Sequence, residues 1–186
     1  MSRIFERLKG ELCRERLLHV LGVVHRSIEL APLTGADTDR AVTAAYLHDI
    51  GKGRTPGDQR AQMHTWGTDV PAEDEDYPQL WHGWFAREAA WREFGVDDPL
   101  VLDAVAFHTT GRPAMTPVDA VLFLSDYLEP MRNFTPVIEA RDVKRLGVNE
   151  ALKRVLNDKI SYVERSGRRV HPRALEARRY YQDQTP

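Results

Sequence analysis

A single cysteine, Cys13, stands among the 186 residues, so no disulfide can close within the chain. That suits a reducing compartment. No apolar run approaches the roughly 20 residues that span a bilayer, and the opening residues, Met1-Ser2-Arg3-Ile4-Phe5-Glu6-Arg7, hold no apolar signal core. A cytoplasmic protein with no membrane partner is therefore expected. An excess of one charge is also lacking. The 26 Lys and Arg face 28 Asp and Glu, a net charge of −2, which gives no global signal for nucleic acid. Arg165, Arg168, Arg169, Arg173, Arg178 and Arg179 cluster late in the chain without an interleaved aromatic platform and read as a solvated face. Strand alternation, internal repeats and low-complexity tracts are absent beyond a few residues. What remains, at 42% hydrophobic residues, is a helix-forming chain long enough to bury a sizeable core.

Leu12, Leu17, Leu18, Leu21, Val24 and Ile28 recur mostly at three- and four-residue steps and predict a helix over 11–31, stopped by Pro32 and Gly35. Asp37 or Thr38 caps the next, which carries 41–49. Gly51, Gly53, Pro56 and Gly57 then break the chain before a short helix over 58–64. Residues 67–79 are acidic and turn-rich and read as a solvated surface loop. Further helices are predicted over 81–94, 99–108, 117–128, 135–146, 149–166 and 172–182, with Pro99 and Pro117 at first-turn positions. The expected class is all-α: one domain over 1–186, with a motif-bearing core about 12–132 and C-terminal helices about 135–183.

The chemistry begins with His48-Asp49, which ends the apolar run 41–47. An imidazole beside a carboxylate near a core is costly without a partner, and a metal ion is the natural one. Neighbouring residues on a helix point about 100° apart, so the pair cannot chelate one ion like an i, i+4 pair. It can share a site if His48 binds one ion and Asp49 reaches a second. Lys52 returns to their face if the helix continues, where its ammonium can neutralise a phosphate. His19 follows Arg16 by one turn, and no acid shares the Arg16 face, which leaves a tertiary partner or a substrate phosphate. His82 opens a helix and His108 ends one. Asp126 follows the apolar residues 121–124 and Ser125, where a carboxylate needs a cation or donors. Four imidazoles and two carboxylates suffice for two ions if one carboxylate bridges and waters complete the shells. Elsewhere, His25 reads as surface or packing and His64 as solvated. His171 reads as a helix cap or a nucleotide contact, Tyr127 as a base-stacking or packing ring, and Cys13 as buried.

The order His…His-Asp…His…His…Asp resembles the HD superfamily of metal-dependent phosphohydrolases. Five segments sharpen the likeness: His48-Asp49-Ile50-Gly51-Lys52, Trp81-His82-Gly83, His108-Thr109-Thr110-Gly111-Arg112-Pro113, Asp126-Tyr127-Leu128-Glu129-Pro130-Met131-Arg132 and Val170-His171-Pro172. They are similar to the YqeK-type HD proteins, bacterial hydrolases that cleave diadenosine tetraphosphate symmetrically, and the likeness runs over about 16–175. It implies an HD-domain helical bundle around a di-iron centre. His19, His48, Asp49 and Asp126 would bind one ion, and Asp49, His82 and His108 the other, with Asp49 bridging. The donor types alone accept Fe, Mn, Zn or Co.

The expected reaction is attack of a metal-bound hydroxide on an inner phosphorus, releasing two ADP. Asp49, Lys52 and Arg132 are its expected catalytic residues. Arg16, Lys52, His108, Thr109, Thr110, the Gly111 amide, Arg112, Tyr127 and Arg132 are the expected substrate contacts. Three rivals share the residues: a hydrolase of another nucleotide, a di-iron oxygenase and a non-catalytic nucleotide-binding protein. A cyclic-dinucleotide enzyme is disfavoured, because no Gly-Tyr-Pro follows His-Asp. A homodimer is compatible with the sequence.

Overall fold

The computed structural model of the protein describes residues 2–184, so Met1, Thr185 and Pro186 of the expected domain lie outside the described residues. The chain runs through α1 (Ser2–Glu11), α2 (Arg14–Thr34), α3 (Thr38–Leu47), α4 (Pro56–Thr65), α5 (Trp81–Phe94), α6 (Pro99–Phe107) and α7 (Pro117–Leu128). It continues through α8 (Thr135–Ala140), α9 (Val143–Leu146), α10 (Val148–Arg165) and α11 (Pro172–Asp183). There is no strand among the described residues, as the helical spacing predicts. No helix among the described residues is long and apolar enough to cross a membrane.

The hub is α7. Thr116 and Asp119 close a capping box around Pro117 at its first turn. Every residue from Val118 to Leu128 is buried, as befits a helix apolar nearly all round. α2, α3 and α6 pack against one part of it, and α10 against another. Two apolar clusters meet along α7. One gathers Leu47, Ile50, Phe85, Val105 and Leu122, and the other Phe123, Leu124, Leu128, Leu152 and Leu156. α7 also carries the polar residues Asp119, Ser125 and Asp126 into the buried interior.

Several expectations are corrected. Pro32 does not stop its helix. α2 runs on to Thr34, with Gly35 in the left-handed region as the C-cap, and the carbonyl that a proline leaves unpaired is that of Ile28, a half-exposed residue. Ile4, Leu8 and Leu12, at four-residue steps, bury α1, which the reading from residue 11 missed. The predicted helix over 135–146 splits because the Asp142 side chain accepts from Arg145 N and starts α9 afresh. Cys13 precedes α2 and is exposed rather than buried.

The acidic segment is the largest departure. Short 3-10 turns cover Ala72–Asp74 and Pro78–Leu80, and arginines hold the acids. Arg60 pairs with Asp69 and Glu75, Arg169 with Asp76, and Arg173 with Glu73 and Asp74. Asp74 is fully buried. It accepts from Trp84 Nε1 (3.1 Å) and Arg173 (2.8 Å) and faces His171 Nε2 at 3.1 Å. Trp81 Nε1 donates to the Asp74 carbonyl at 2.9 Å.

Candidate metal centre

The residues singled out in the sequence converge where α2, α3, α5, α6 and α7 approach one another. His19 comes from the second turn of α2, and Asp126 from the last turn of α7. His48 and His108 are the C-caps of α3 and α6, and His82 is the second residue of α5. α3 does not continue past Leu47. Instead Ile50 N, Lys52 N and Arg54 N each donate three residues back, and Gly51 takes a φ of +82°. That tight turn, rather than a continued helix, brings Lys52 Nζ to 2.9 Å from His82 Nε2.

The imidazoles are aimed in one way. His48 Nδ1 lies 2.7 Å from the Ala45 carbonyl, His82 Nδ1 3.0 Å from that of Gln79 and His108 Nδ1 2.7 Å from that of Val105. A carbonyl only accepts, so Nδ1 carries the proton in each and Nε2 offers a bare lone pair. His19 Nδ1 donates to the Glu129 carboxylate at 3.3 Å, which orients its ring in the same way. Such outer partners orient imidazole ligands of metals. His48 Nε2 is fully buried with no hydrogen-bond partner among the described residues, a costly arrangement unless a cation completes it.

The donor atoms form two groups, His19–His48–Asp126 and Asp49–His82–His108, each within 4.8 Å. Asp49 faces both. Its Oδ2 lies 3.6 Å from His48 Nε2 and 3.9 Å from His19 Nε2, and its Oδ1 lies 3.8 Å from His82 Nε2. All six residues are buried, and the imidazole–carboxylate set fits divalent metals of the Fe, Mn, Co and Zn kind.

Electrostatics favour ligands ready to bind. Burial pushes the His48 pKa down, and burial with the neighbouring His48 takes His108 to about 3. Burial and the Lys52 ammonium hold His82 well below its ordinary value. These three are neutral near pH 7. Burial alone would raise the pKa of Asp49, but His48, Lys52 and His82 hold it well below the usual carboxylate range. Burial would likewise raise that of Asp126, and Lys159 and His19 outweigh it. His19 is the exception. Burial opposes its charge, yet the Asp126 and Glu129 carboxylates lift its pKa to about 9.

Without a metal, His19 therefore carries a proton at neutral pH that a cation must displace. Metal uptake by its cluster is expected to release about one proton, with affinity falling about tenfold per pH unit below the His19 pKa of about 9. Calorimetry in buffers of different ionisation enthalpy measures this, and uptake with no proton release would contradict it. The sign for stability is opposite. His19 has a folded pKa above its unfolded 6.5, so its contribution to the metal-free protein is full below pH 6.5 and lost as pH rises through about 9. The melting temperature of chelated protein should fall across that window, and His19→Gln should flatten the fall.

Gly51 sets the turn after Asp49. A Cβ there would overlap the Phe85 ring, and its φ is strained for any L side chain. Gly51→Ala is expected to cost about 2–4 kcal/mol in urea unfolding. A loss below about 1 kcal/mol would mean that the turn relaxes freely.

A cavity of about 830 Å³ opens on both clusters, toward the upper end of small-molecule sites. Arg16, Asp49, Lys52, His108, Thr109, Thr110, Asp126, Tyr127 and Arg132 line it, so most of the expected contacts come together. Arg16 Nη1 lies 3.0 Å from Asp49 Oδ2, which supplies the tertiary partner that its helix face lacks, and Arg132 Nη2 lies 3.1 Å from Asp126 Oδ1. Thr109 Oγ1 stands 3.1 Å from His108 Nε2.

Two expected contacts fail. Arg112 is committed to Asp119 (2.8 Å) and Asp103 (3.1 Å) and is absent from the lining, and the Gly111 amide already donates to the Phe107 carbonyl. Thr110 keeps its place on the wall but donates its hydroxyl to the Gly111 carbonyl at 2.9 Å. His171 has the cap role weighed for it. It caps α11 by accepting from Arg173 N, and it lines the cavity.

Some residues were missed. Glu129 was quoted only as part of a motif, although it directly follows the buried α7. Lys159 gave a readable signal, because it falls in the apolar stripe of α10. Arg165, Arg168 and Arg169 line the cavity instead of forming only a solvated face. Tyr162 beneath Arg168 (5.6 Å) and Tyr77 beneath Arg169 (5.2 Å) provide aromatic neighbours, one from the same helical arm and one from a distant segment.

Comparison with known proteins fits this geometry. Residues 16–131 match the family model described as HD domain. The chain is 36% identical to the symmetrical bis(5'-nucleosyl)-tetraphosphatase of Bacillus subtilis (strain 168), over 89% of this chain and 88% of that one. It is 31% identical to the protein of the same name from Halalkalibacterium halodurans, over 94% and 92%. A crystal structure of an HD superfamily hydrolase from Clostridium acetobutylicum, described as involved in NAD metabolism, superposes with a TM-score of 0.91 at 32% identity, covering 99% of this chain and 97% of that one.

Proposed function

The chain belongs to the HD-domain family, in the branch of the symmetrical bis(5'-nucleosyl)-tetraphosphatases, and from that premise we propose how it hydrolyses diadenosine tetraphosphate to two ADP. One observation carries the substrate class. Seven lysine and arginine side chains face three aspartates around the cavity that opens on the two donor clusters. A compact polyanion such as an oligophosphate matches that excess of positive charge.

In this reading His19, His48 and Asp126 would hold one ion, His82 and His108 the other, and Asp49 would serve both. Two such ions, when bound, supply an activated water at neutral pH and a clamp on a phosphoryl oxygen. The protein's own groups do the rest. Arg16 and Arg132, each anchored to a ligand carboxylate, point fixed guanidiniums at the phosphates. Lys52 neutralises charge that develops on the leaving phosphate. Thr109 and Tyr127 complete the wall, with the Tyr127 ring beneath the Arg132 guanidinium at 5.7 Å.

Iron is the metal proposed, on the strength of the family likeness and the mixed nitrogen and oxygen donors. A cytoplasmic setting fits a nucleotide substrate and a lone thiol. The whole chain acts as one domain, since the second apolar cluster joins α7 to α10 and α11.

Metal analysis of the purified protein, followed by chromatography of its products from diadenosine tetraphosphate, tests this. Two ions per chain and ADP as sole product are expected. Intact substrate, or ATP with AMP, would overturn the reaction. Turnover at full rate with iron excluded and another metal bound would overturn the metal.

A further inference from the structure

Lys159 is a cation at the heart of the centre that the reaction above leaves unused. On α10 it lies in register with Leu152, Val155 and Leu156, which are buried in the core. Its Nζ stands 3.3 Å from Asp126 Oδ2, 3.3 Å from the His108 carbonyl oxygen and 4.5 Å from the centre of the Phe123 ring. One ammonium thus touches a residue of each donor cluster.

Burying an ammonium costs several kcal/mol before its partners repay it. Lys159 is not the sole cation on Asp126, because Arg132 and His19 face the Asp126 Oδ1 atom at 3.1 and 3.3 Å while Lys159 takes the other oxygen. An ammonium has three N–H donors. The carboxylate and the carbonyl take two, and the third is left for the cavity that Lys159 lines, where its side chain keeps 19% exposure. A charge held by a core helix, largely desolvated and braced against an aromatic ring, loses little freedom when an anion arrives.

We propose that Lys159 is a direct contact for a substrate phosphate, braced by Asp126 and the His108 carbonyl so that its free N–H points at the anion. The proposal rests on the polyphosphate reading above. It differs from a role confined to Asp126 in one respect: removing the charge must weaken the binding of phosphate-bearing ligands even where the metals stay in place.

The test uses full-length, metal-loaded protein and Lys159→Met, which keeps an unbranched stem without the charge. The KM for diadenosine tetraphosphate and the inhibition constant of ADP should both rise about tenfold or more, with two ions per chain retained. Lys159→Arg should restore most of the loss. Unchanged KM and ADP inhibition would overturn the proposal. So would a variant that loses metal while its loaded fraction binds ADP normally. If Lys159→Met does not fold, Lys159→Gln compared with Lys159→Arg gives the same reading. Wild-type protein that fails to cleave the tetraphosphate would remove the reaction. ADP binding by wild type against Lys159→Met would still decide the contact.

Discussion

Asp49→Ala is expected to lower turnover by about three orders of magnitude or more and to empty both donor clusters together. The reason is the split of its carboxylate, with Oδ2 toward His19 and His48 and Oδ1 toward His82. Among the described residues, Asp49 is the carboxylate recorded against histidines of both clusters. The variant also removes the partner of the Arg16 guanidinium and one of the charges that keep the imidazoles company. His82→Ala supplies the contrast, since it should weaken one cluster and leave the other filled. Metal stoichiometry read beside activity checks both. Asp49→Ala protein that keeps two ions, or that keeps most of its activity, would sink the bridging assignment.

Asp74→Ala should cost about 3–5 kcal/mol of stability, although Asp74 lies in the stretch that composition marks as solvated. The side chain is fully buried, and its loss strands the Trp84 indole N–H and leaves Arg173 with the exposed Glu73 carboxylate and His171 with the Glu73 carbonyl. Buried donors that lose their acceptor cost more than the lost contact alone. Asp74→Asn keeps the volume but not the charge and should fall between the two. Urea unfolding measures the difference. The cavity wall carries a second signature, because Asp74 ties the acidic segment to the start of α11, where His171 and Ala174 line the site. The KM should rise in Asp74→Ala protein at temperatures where it remains folded. A stability loss below about 1 kcal/mol would show that Arg173 finds another acceptor at no cost.

How much was legible differs from residue to residue. The candidate donor set was legible because most of its members are polar side chains in or at the end of an apolar helical run, a local conflict that a cation or a partner resolves. Lys159 makes the same kind of conflict in α10 and was readable by the same rule. Arg112 shows the reverse error. It follows the motif around His108, but Asp103 and Asp119 lie within reach only once α6 and α7 are packed. The acidic stretch misled for a similar reason. Arg60, Arg169 and Arg173 are distant in sequence or on other elements, so composition shows the acids and not what neutralises them. Pro32 misled more locally, since one missing hydrogen bond near the end of α2 is borne without breaking the last turn.

By itself the sequence determined an all-helical chain, the six residues able to hold two ions and the family to which they belong, because periodicity and motif spacing are local properties. Only the tertiary structure decided which oxygen of Asp49 faces which cluster, which arginines line the cavity and which are turned away from it, and that an acidic stretch is a clamp. Those outcomes depend on distances between elements remote along the chain, where pairing across the packed helices settles whether a charge is available or already neutralised.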